Sequence, residues 1–442
     1  KKNDDDWMTL LLIRMLYVAY YAANGFLHPF IPEYYAWKGF GGKNVGILGS
    51  LSPFITFLVG PMWGVISDSW QAPYFILYTT MTVTLAGQIL VAAIDNPYVI
   101  MGLVSLKSIF VAPTRSIIDS LVLHHIHDRK SFGRMRLWGL IGSGIGTSLG
   151  GYFLEDATIL KMSSWGDEHT MGLPGTFAGL VQRLAGYPFL FFAHAMLHIP
   201  LFLVMRWLQK SHLSETSEPE PKTEATASDN NDASNSVRTR EILWSVAKNR
   251  DAIIFFLLVY AMGVAGGVAD NFTYARFREM GASSAVMGSS RLFSSTAGAI
   301  MFWFSGDLSA LLGTNYVMLL SLLLVSLRFW LYASVEYSWT AYLGEALRGL
   351  TFGCYWSSAT VSASELAPKE ARSTMLLILN GAYNGIGRST GAIAGGYIES
   401  ISGSKAIFQC GYLVYLAMVC VHATYLYVRH ERQIPSDKEK QQ

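Results

Sequence analysis

Long apolar segments separated by short polar ones run through most of this 442-residue chain. A helix needs about 20 apolar residues to cross the hydrocarbon core of a bilayer. Only 14% of the residues are charged, against roughly 25% in a soluble domain. Most of the chain is therefore expected to face lipid. This composition excludes a disordered, collagen-like or disulfide-stapled chain and argues against a soluble enzyme.

Twelve membrane-spanning helices are predicted, in two groups of six. The segments are 7–28, 44–67, 72–94, 97–123, 132–154 and 187–208, followed by 252–274, 284–306, 316–334, 339–367, 373–398 and 406–428. The stretch between the groups is rich in Ser, Glu, Pro, Thr, Asn and Asp, and such a composition buries too little apolar surface to order itself. The predicted domains are an N-terminal six-helix bundle over 1–208, a cytosolic flexible linker over 209–250, a C-terminal six-helix bundle over 251–430 and a cytosolic tail over 431–442.

The distribution of basic residues predicts the orientation of the chain. Most of the 33 Lys and Arg residues lie in the two end segments, the linker and the loops that share their side. Cytoplasmic segments are enriched in Lys and Arg, so both termini are expected in the cytosol. We expect a multi-pass monomer embedded in a lipid bilayer, with the plasma membrane as the favoured location. A net charge of +2 gives no indication of nucleic-acid binding.

An internal repeat supports the division into two halves. The segment LIGSGIGTSLGGY (140–152) aligns without a gap on GIGRSTGAIAGGY (385–397), with six of thirteen positions identical. Each copy has glycines four residues apart, a spacing that lets helix backbones approach closely in a membrane. Packing is therefore the favoured role of these glycines. Two homologous six-helix halves also form a transporter architecture, with a ligand site between them at mid-depth.

Several motifs resemble the major facilitator superfamily. These are GVISDSW (64–70), SFGRMRLWGLIGSGIG (131–146), GEALRGLTFGCYW (344–356) and NGAYNGIGRSTGAIAGGY (380–397). They are most similar to the branch that contains lactose permease, the nucleoside/proton symporters and the MFS-associated-domain proteins. The resemblance implies an all-α membrane protein of 12 transmembrane helices in two pseudo-symmetric six-helix bundles. It also implies secondary transport by alternating access.

The same resemblance suggests roles for four residues. Arg328 lies in SLLLVSLRFW (321–330), which resembles the ninth helix of lactose permease, where the arginine belongs to the proton-coupling network. Gly64 and Asp68 match the cytosolic gating loop of the superfamily, although the basic residues that usually follow are replaced by Ser69, Trp70 and Gln71. Arg136 matches, by motif, an arginine that binds sugar in lactose permease.

Polar residues inside a membrane span are costly and are functional candidates by default. In the first half, the residues that share one helix face or lie one turn apart are Arg14, Tyr17, Tyr21, Asn24, Arg115 and Asp119. They are predicted to bind the substrate together with Arg136. Two alternatives remain open. The first-span residues can instead hydrogen-bond to neighbouring helices, and Arg115 and Asp119 can neutralise each other.

The second half offers a similar set. Asn380, Asn384 and Arg388 recur every four residues and are predicted to form a second substrate-binding wall, with helix packing as the alternative. The predicted proton-coupling or charge-pair residues are Asp270, Arg328, Glu345 and Arg348. Glu345 and Arg348 are three residues apart and can pair. Glu345 is the first candidate for carrying a proton, and Asp270 is the second.

Basic residues outnumber acidic ones within the predicted spans. The basic residues are Arg14, Lys107, Arg115, Arg291, Arg328, Arg348 and Arg388, and the clear acids are Asp119, Asp270 and Glu345. Surplus positive charge in a shared cavity attracts carboxylate, phosphate or sulfate groups. The prediction is therefore a transporter of a small polar solute that is anionic or zwitterionic, with proton coupling as an open point. A neutral sugar or nucleoside is the alternative substrate.

Other functional classes find less support. His194 and His198 have the i, i+4 spacing of a metal pair, but the glutamate of an HExxH motif is missing. No metal site, cofactor or catalytic motif is predicted, so an enzyme is not expected. A non-transporting membrane receptor or scaffold with the same fold remains the alternative function.

Overall fold

A computed structural model describes residues 2–70, 72–125, 132–163, 186–215, 248–366 and 372–439. Each segment predicted to span a membrane is helical over nearly all of its described residues. The linker predicted over 209–250 falls for most of its length outside the described residues. The flanking helices extend into that range, since one ends at Glu215 and the next begins at Arg250.

The first half begins with α1 (Lys2–Leu27), which continues through a 3-10 turn (His28–Phe30) into the short α2 (Ile31–Trp37). The remaining helices of this half are α3 (Gly42–Trp70), α4 (Pro73–Ala93), α5 (Pro97–His125), α6 (Phe132–Ser163) and α7 (Tyr187–Glu215). Two of them start at a proline, whose fixed φ and missing N–H suit the first position of a helix.

The second half has α8 (Arg250–Glu279), α9 (Ser284–Leu312), α10 (Thr314–Ser334), α11 (Thr340–Leu366) and α12 (Arg372–Asn380). A π-helical segment (Gly381–Gly387) then joins α12 to α13 (Arg388–Glu439). Gly403 interrupts α13 with φ 79°, a left-handed conformation that favours glycine, and so separates the last two predicted spans. Asn249 and Ser283 cap α8 and α9 by accepting hydrogen bonds from the backbone N–H groups of Asp251 and Val286.

The two repeat copies perform the same packing task in their own halves. A Cβ added to Gly142, Gly146 or Gly150 of α6 would lie 2.1–2.6 Å from a backbone oxygen of α1. In the second copy, a Cβ added to Gly391 would likewise lie 2.1 Å from the backbone oxygen of Val264 on α8. Real Cβ atoms do not approach that closely, so glycine is required for these helices to touch. The predicted packing role of the repeat glycines is confirmed.

The halves meet along two seams, one between α3 and α13 and one between α6 and α9. Gly46 of α3 packs against Gly396 of α13, and Gly151 of α6 packs against Gly288 of α9. These contacts lie towards the side where α1 and α8 end, which we call the distal side. The opposite side, where α1 and α8 begin, is the terminal side. On the part of α3 that lies towards the terminal side, Gly60 and Gly64 have open space around them. No neighbouring atom lies within 4 Å of the position that a Cβ on either glycine would occupy.

Eight stretches of the described residues are long and apolar enough to cross a membrane, judged by length and composition. They include α3, α4, α5, α7, α8 and α10 over most of their lengths. The helices α6, α9 and α11 fall short because glycine, serine and charged residues interrupt their apolar runs. Two of these three form a seam between the halves, so polarity concentrates where helices face protein. The total of twelve spans stays a prediction.

Candidate functional site

A cavity of about 260 Å³ lies in the second half, among α8, α9, α10, α11 and the start of α13. From the first half, Leu140 and Ser143 of α6 complete its wall. The lining includes four arginines, one aspartate and four aromatic rings. These are Arg291, Arg328, Arg348, Arg388, Asp270, Phe302, Phe352, Tyr355 and Tyr383.

The charged residues around this cavity form a connected network of ion pairs. Asp270 of α8 pairs with both Arg348 of α11 and Arg388 of α13. Glu345 pairs with Arg348 one turn along α11, at 3.5 Å, and with Arg291 of α9, at 3.2 Å. The spacing of Glu345 and Arg348 along α11 predicted the contact between these two residues. The other three ion pairs join different helices, so they required the tertiary structure.

Arg328 stands apart from these ion pairs. Its guanidinium lies 5.3 Å from the ring centroid of Phe329, and its Nε is buried without a hydrogen-bond partner among the described residues. Four guanidinium groups therefore share the cavity region with two carboxylates, those of Asp270 and Glu345. The described cluster carries two more positive charges than negative ones.

The two acids of the cluster differ in access. The side chain of Glu345 is 1% exposed and that of Asp270 is 23% exposed. Asp270 lines the cavity, whereas Glu345 lies behind the arginines that it neutralises. Of these two carboxylates, Asp270 is the one that a solute in the cavity can reach.

Asn380, Asn384 and Arg388 lie along one face, as their spacing predicts, and bond to one another. Asn384 donates to the side-chain oxygen of Asn380 at 3.0 Å, and Arg388 donates to the side-chain oxygen of Asn384 at 3.3 Å. The π-helical segment contains Asn384 and ends immediately before Arg388. This ladder orients Arg388, which is the member of the set that lines the cavity.

The predicted residues of the first half form a separate group on α1, α5 and α6. The hydroxyl of the fully buried Tyr17 donates to Oδ1 of Asp119 at 2.7 Å. Arg115 lies 6.0 Å from the ring centroid of Tyr21. Arg14 lies 5.9 Å from the ring of Trp138 on α6, and its Nε has no described hydrogen-bond partner.

Four predicted residues contribute less to this picture. Asn24 turns back and donates to the carbonyl oxygen of Tyr20 at 2.7 Å. Gly64 is exposed on α3. The side chains of Asp68 and Arg136 lie outside the described part of the structure, so their predicted roles in gating and sugar binding stay predictions.

The paired histidines of α7 bond to the backbone. Nδ1 of His194 lies 2.8 Å from the carbonyl oxygen of Ala23, and Nδ1 of His198 lies 2.8 Å from that of His194. A carbonyl oxygen only accepts, so both Nδ1 atoms carry the proton. Among the described residues no group of three or more His, Cys, Asp or Glu side chains is arranged to hold a metal ion.

Sequence reasoning missed a charged contact between the halves on the distal side. Arg278 of α8 pairs with Glu33 of α2 and donates to the hydroxyl of Tyr187 on α7 at 2.5 Å. Glu33 is only 2% exposed. The sequence signal was available, because Glu33 is an acid within the apolar run that follows the first span.

The chain matches the sequence model of the MFS_1 like family over residues 10–410. The maltose permease of Geobacillus stearothermophilus is 22% identical over 388 residues, which cover 87% of this chain and 86% of the permease. Major facilitator superfamily domain-containing protein 6-like protein A of Xenopus laevis is 19% identical over 326 residues, 73% of this chain. The chain aligns with 48% of that second relative's length.

Solved structures share the fold. The nucleoside transporter NupG superposes with a TM-score of 0.69 at 15% identity, covering 95% of this chain and 98% of that one. A bacterial homolog of the human lysosomal transporter Spinster, in an inward-facing and unoccupied conformation, superposes with a TM-score of 0.62 at 14% identity, covering 95% and 96%. The predicted all-helical fold with two pseudo-symmetric halves is thereby confirmed. This multi-pass membrane protein is a transporter rather than an enzyme, and it belongs to the MFS_1 like family.

Proposed function

We propose that this protein moves a small anionic or zwitterionic solute across its membrane by alternating access, together with a proton. The observation that carries the proposal is the charge of the cavity region, where four guanidinium groups are matched by only two carboxylates. Arginine presents a planar fork of donors that binds carboxylate or phosphate with two parallel hydrogen bonds. The surplus charge lies in a partly buried site, where it attracts anions more strongly than it would in bulk water.

The seams support the alternating-access part of the proposal. The halves are packed backbone to backbone on the distal side, at Gly46–Gly396 and Gly151–Gly288. No side chains interlock at these contacts between glycines, so the two bundles can separate there as rigid bodies. If the termini are cytosolic, as the basic residues predict, this conformation is closed to the outside.

The ion pairs of Asp270 suggest how a proton is linked to the solute. Asp270 occupies both Arg348 and Arg388, the groups that an incoming carboxylate would use. Protonation of Asp270 neutralises this internal competitor and frees both guanidinium groups. One proton carried with one monovalent anion leaves the charge of the cavity unchanged. We therefore assign the proton to Asp270 rather than to Glu345, which is enclosed by its arginines.

A neutral sugar or nucleoside is the second candidate substrate. It is favoured by the relatives, since one is a maltose permease and one structural neighbour is a nucleoside transporter. Binding of a neutral solute would leave the surplus guanidinium charge without a counterion. The cavity therefore favours the anion.

The test is a thermal-shift and uptake screen of purified protein in proteoliposomes, with carboxylates, phosphates, amino acids, sugars and nucleosides. Arg388→Gln should weaken binding of the anion by roughly tenfold to a hundredfold, because a charge-assisted hydrogen bond contributes about 1.5–3 kcal/mol. Arg429→Gln is the matched control, since Arg429 pairs with Asp251 outside the cavity. Saturable uptake of a neutral sugar that is insensitive to Arg388→Gln and Arg14→Gln would overturn the proposal. Anion binding without any flux would favour a receptor instead.

A further inference from the structure

The charged and aromatic parts of the cavity lie at different depths. On α11, Arg348 precedes Phe352 by four residues and Tyr355 by seven, or about 6 and 10 Å along the helix axis. On α9, Arg291 precedes Phe302 by eleven residues, or about 16 Å. Both helices run from the distal to the terminal side, so these rings lie on the terminal side of the arginines.

The last cavity helix repeats this order in the opposite direction. The segment from α12 to α13 runs from the terminal to the distal side, and there Tyr383 precedes Arg388 by five residues. All four aromatic residues that line the cavity are therefore displaced from the arginines towards the terminal side. The cavity has a cationic end and an aromatic end.

The aromatic end presents flat ring surfaces. The rings of Tyr355 and Tyr383 stack with centroids 5.1 Å apart and an interplanar angle of 28°. Phe352 extends this group, since it stacks with Trp356, whose ring also meets that of Tyr383 edge-on. Planar rings prefer offset stacking or edge-to-face contact with other rings. A flat aromatic group fits this wall better than a branched or heavily hydroxylated one.

Each end also contains a buried donor without a partner among the described residues. At the cationic end it is Nε of Arg328, whose residue is 4% exposed, and at the aromatic end it is the hydroxyl of Tyr355, whose residue is 1% exposed. Buried donors are normally satisfied, so each of these can donate a hydrogen bond to an acceptor on a bound solute. An acceptor at each end of one solute would satisfy both.

We infer that the solute is an aromatic carboxylate, bound with its carboxylate towards the distal side at the arginines and its ring towards the terminal side at Phe302, Phe352, Tyr355 and Tyr383. This inference rests on the proposed anionic function and narrows it. A polar acceptor substituent on the ring would engage the Tyr355 hydroxyl. The inference adds an orientation, because the anionic head enters first when the solute comes from the terminal side.

The experiment compares four probes by thermal shift and by calorimetric titration of the full-length protein in detergent. Phenylacetate carries both features, cyclohexylacetate keeps the charge but loses the flat ring, acetate loses the ring altogether, and phenylacetamide loses the charge. We expect phenylacetate to bind roughly threefold to tenfold more tightly than cyclohexylacetate, the range that aromatic contacts contribute. Acetate should bind more weakly still, and phenylacetamide should not bind.

A matched pair of variants tests the location. Phe302 lines the cavity, whereas Phe304 on the same helix is 54% exposed on the outer surface. Phe302→Leu should reduce the preference for phenylacetate over cyclohexylacetate, and Phe304→Leu should leave it unchanged. An equal effect of both substitutions would overturn the inference.

The outcomes separate this inference from the proposed function. Equal binding of phenylacetate, cyclohexylacetate and acetate, with loss of all three in Arg388→Gln, overturns the aromatic inference and leaves the anion proposal in place. The aromatic inference is also overturned, and the anion proposal kept, if phenylacetate does not bind while phosphate or glutamate raises the melting temperature in a way that depends on Arg388. Equal binding of phenylacetamide and phenylacetate overturns both.

Discussion

Gly151 of α6 and Gly288 of α9 touch backbone to backbone across the two halves, since a Cβ on Gly151 would lie 2.9 Å from the Cα of Gly288. Gly396 occupies the position of Gly151 in the second repeat copy. A Cβ on Gly396 would likewise lie 2.9 Å from the Cα of Gly46 on α3. Both seams therefore use the same residue of the repeat. Pseudo-symmetry extends from the helices to the contacts that close the distal side.

A side chain at Gly288 should hold this seam open. A Cβ there would lie 2.6 Å from the carbonyl oxygen of Thr147, so Gly288→Val should disfavour the distal-closed conformation. In a background without the native cysteines, labelling of Ser148→Cys by a membrane-impermeant thiol reagent should rise severalfold, because Ser148 donates to the Gly288 carbonyl at the seam. Gly306→Val on the same helix is the control, since nothing lies within 4 Å of its Cβ position. Unchanged labelling in Gly288→Val would contradict the assignment of this seam.

The pair formed by Arg278 and Glu33 should act as a distal latch. Arg278→Gln removes the cation that faces the buried carboxylate of Glu33, and a buried charge without a partner is costly. Opening of the distal side hydrates Glu33, so the same Ser148→Cys labelling should increase. The charge-swapped double variant Glu33→Arg, Arg278→Glu should restore much of the protection. Lys405→Gln, which removes an exposed distal ion pair, should have little effect. Failure of the swap to restore protection would argue against a charge latch.

Asp270→Asn should uncouple the solute from the proton. Asparagine retains the shape of the side chain but cannot bind the proton, so an inward proton gradient should no longer drive accumulation of the transported anion in proteoliposomes. Exchange of internal for external anion under equal pH should continue, because Arg348 and Arg388 are still present. Full gradient-driven accumulation in Asp270→Asn would exclude Asp270 as the proton carrier.

Glu345→Gln should affect the folded state more than the coupling. Glu345 neutralises Arg291 and Arg348 from a fully buried position, and breaking a buried pair costs about 3–5 kcal/mol. The melting temperature and the yield of folded protein should both fall. Glu336→Gln, at an exposed loop position, is the control and should melt like the parent protein. A stable Glu345→Gln variant that loses only proton coupling would return that role to Glu345.

Tyr17→Phe should weaken the packing of α1 on α5. The substitution removes the hydrogen bond from the buried hydroxyl to Asp119, and hydrogen bonds to charged groups contribute about 1.5–3 kcal/mol. A lowered melting temperature is expected. Tyr316→Phe makes the same change on an exposed ring of α10 and should be neutral. If the two variants melt alike, the contact between Tyr17 and Asp119 contributes nothing to stability.

Much of the architecture was predictable because it follows from local rules. Apolar length placed most of the helices, since a membrane span is defined by its own residues, and α6, α9 and α11 follow less regular apolar runs. The glycines of the repeat predicted close helix packing, which is what Gly146 and Gly391 show against α1 and α8. The i, i+3 spacing of Glu345 and Arg348 predicted that these two could pair, because neighbours on one helix meet whatever the fold.

The candidate site was less predictable because its contacts join distant helices. Arg348 and Asp270 are 78 residues apart and Arg291 and Glu345 are 54 apart. No periodicity indicates which of many possible partners each arginine selects. The aromatic residues Phe302 and Phe352 were missed for the same reason, since an aromatic residue in a span looks the same whether it faces lipid or a cavity.

The sequence by itself determined that this chain forms two related bundles of membrane helices and that basic residues outnumber acidic ones within them. Both properties depend on composition and on spacing along a single helix. Only the tertiary structure decided that four of those arginines converge on one cavity, that Asp270 rather than Glu345 faces it, and that aromatic rings lie at its other end. The physical reason is that charge pairing and burial are properties of packed helices, and the packing brings together residues that are far apart in the chain.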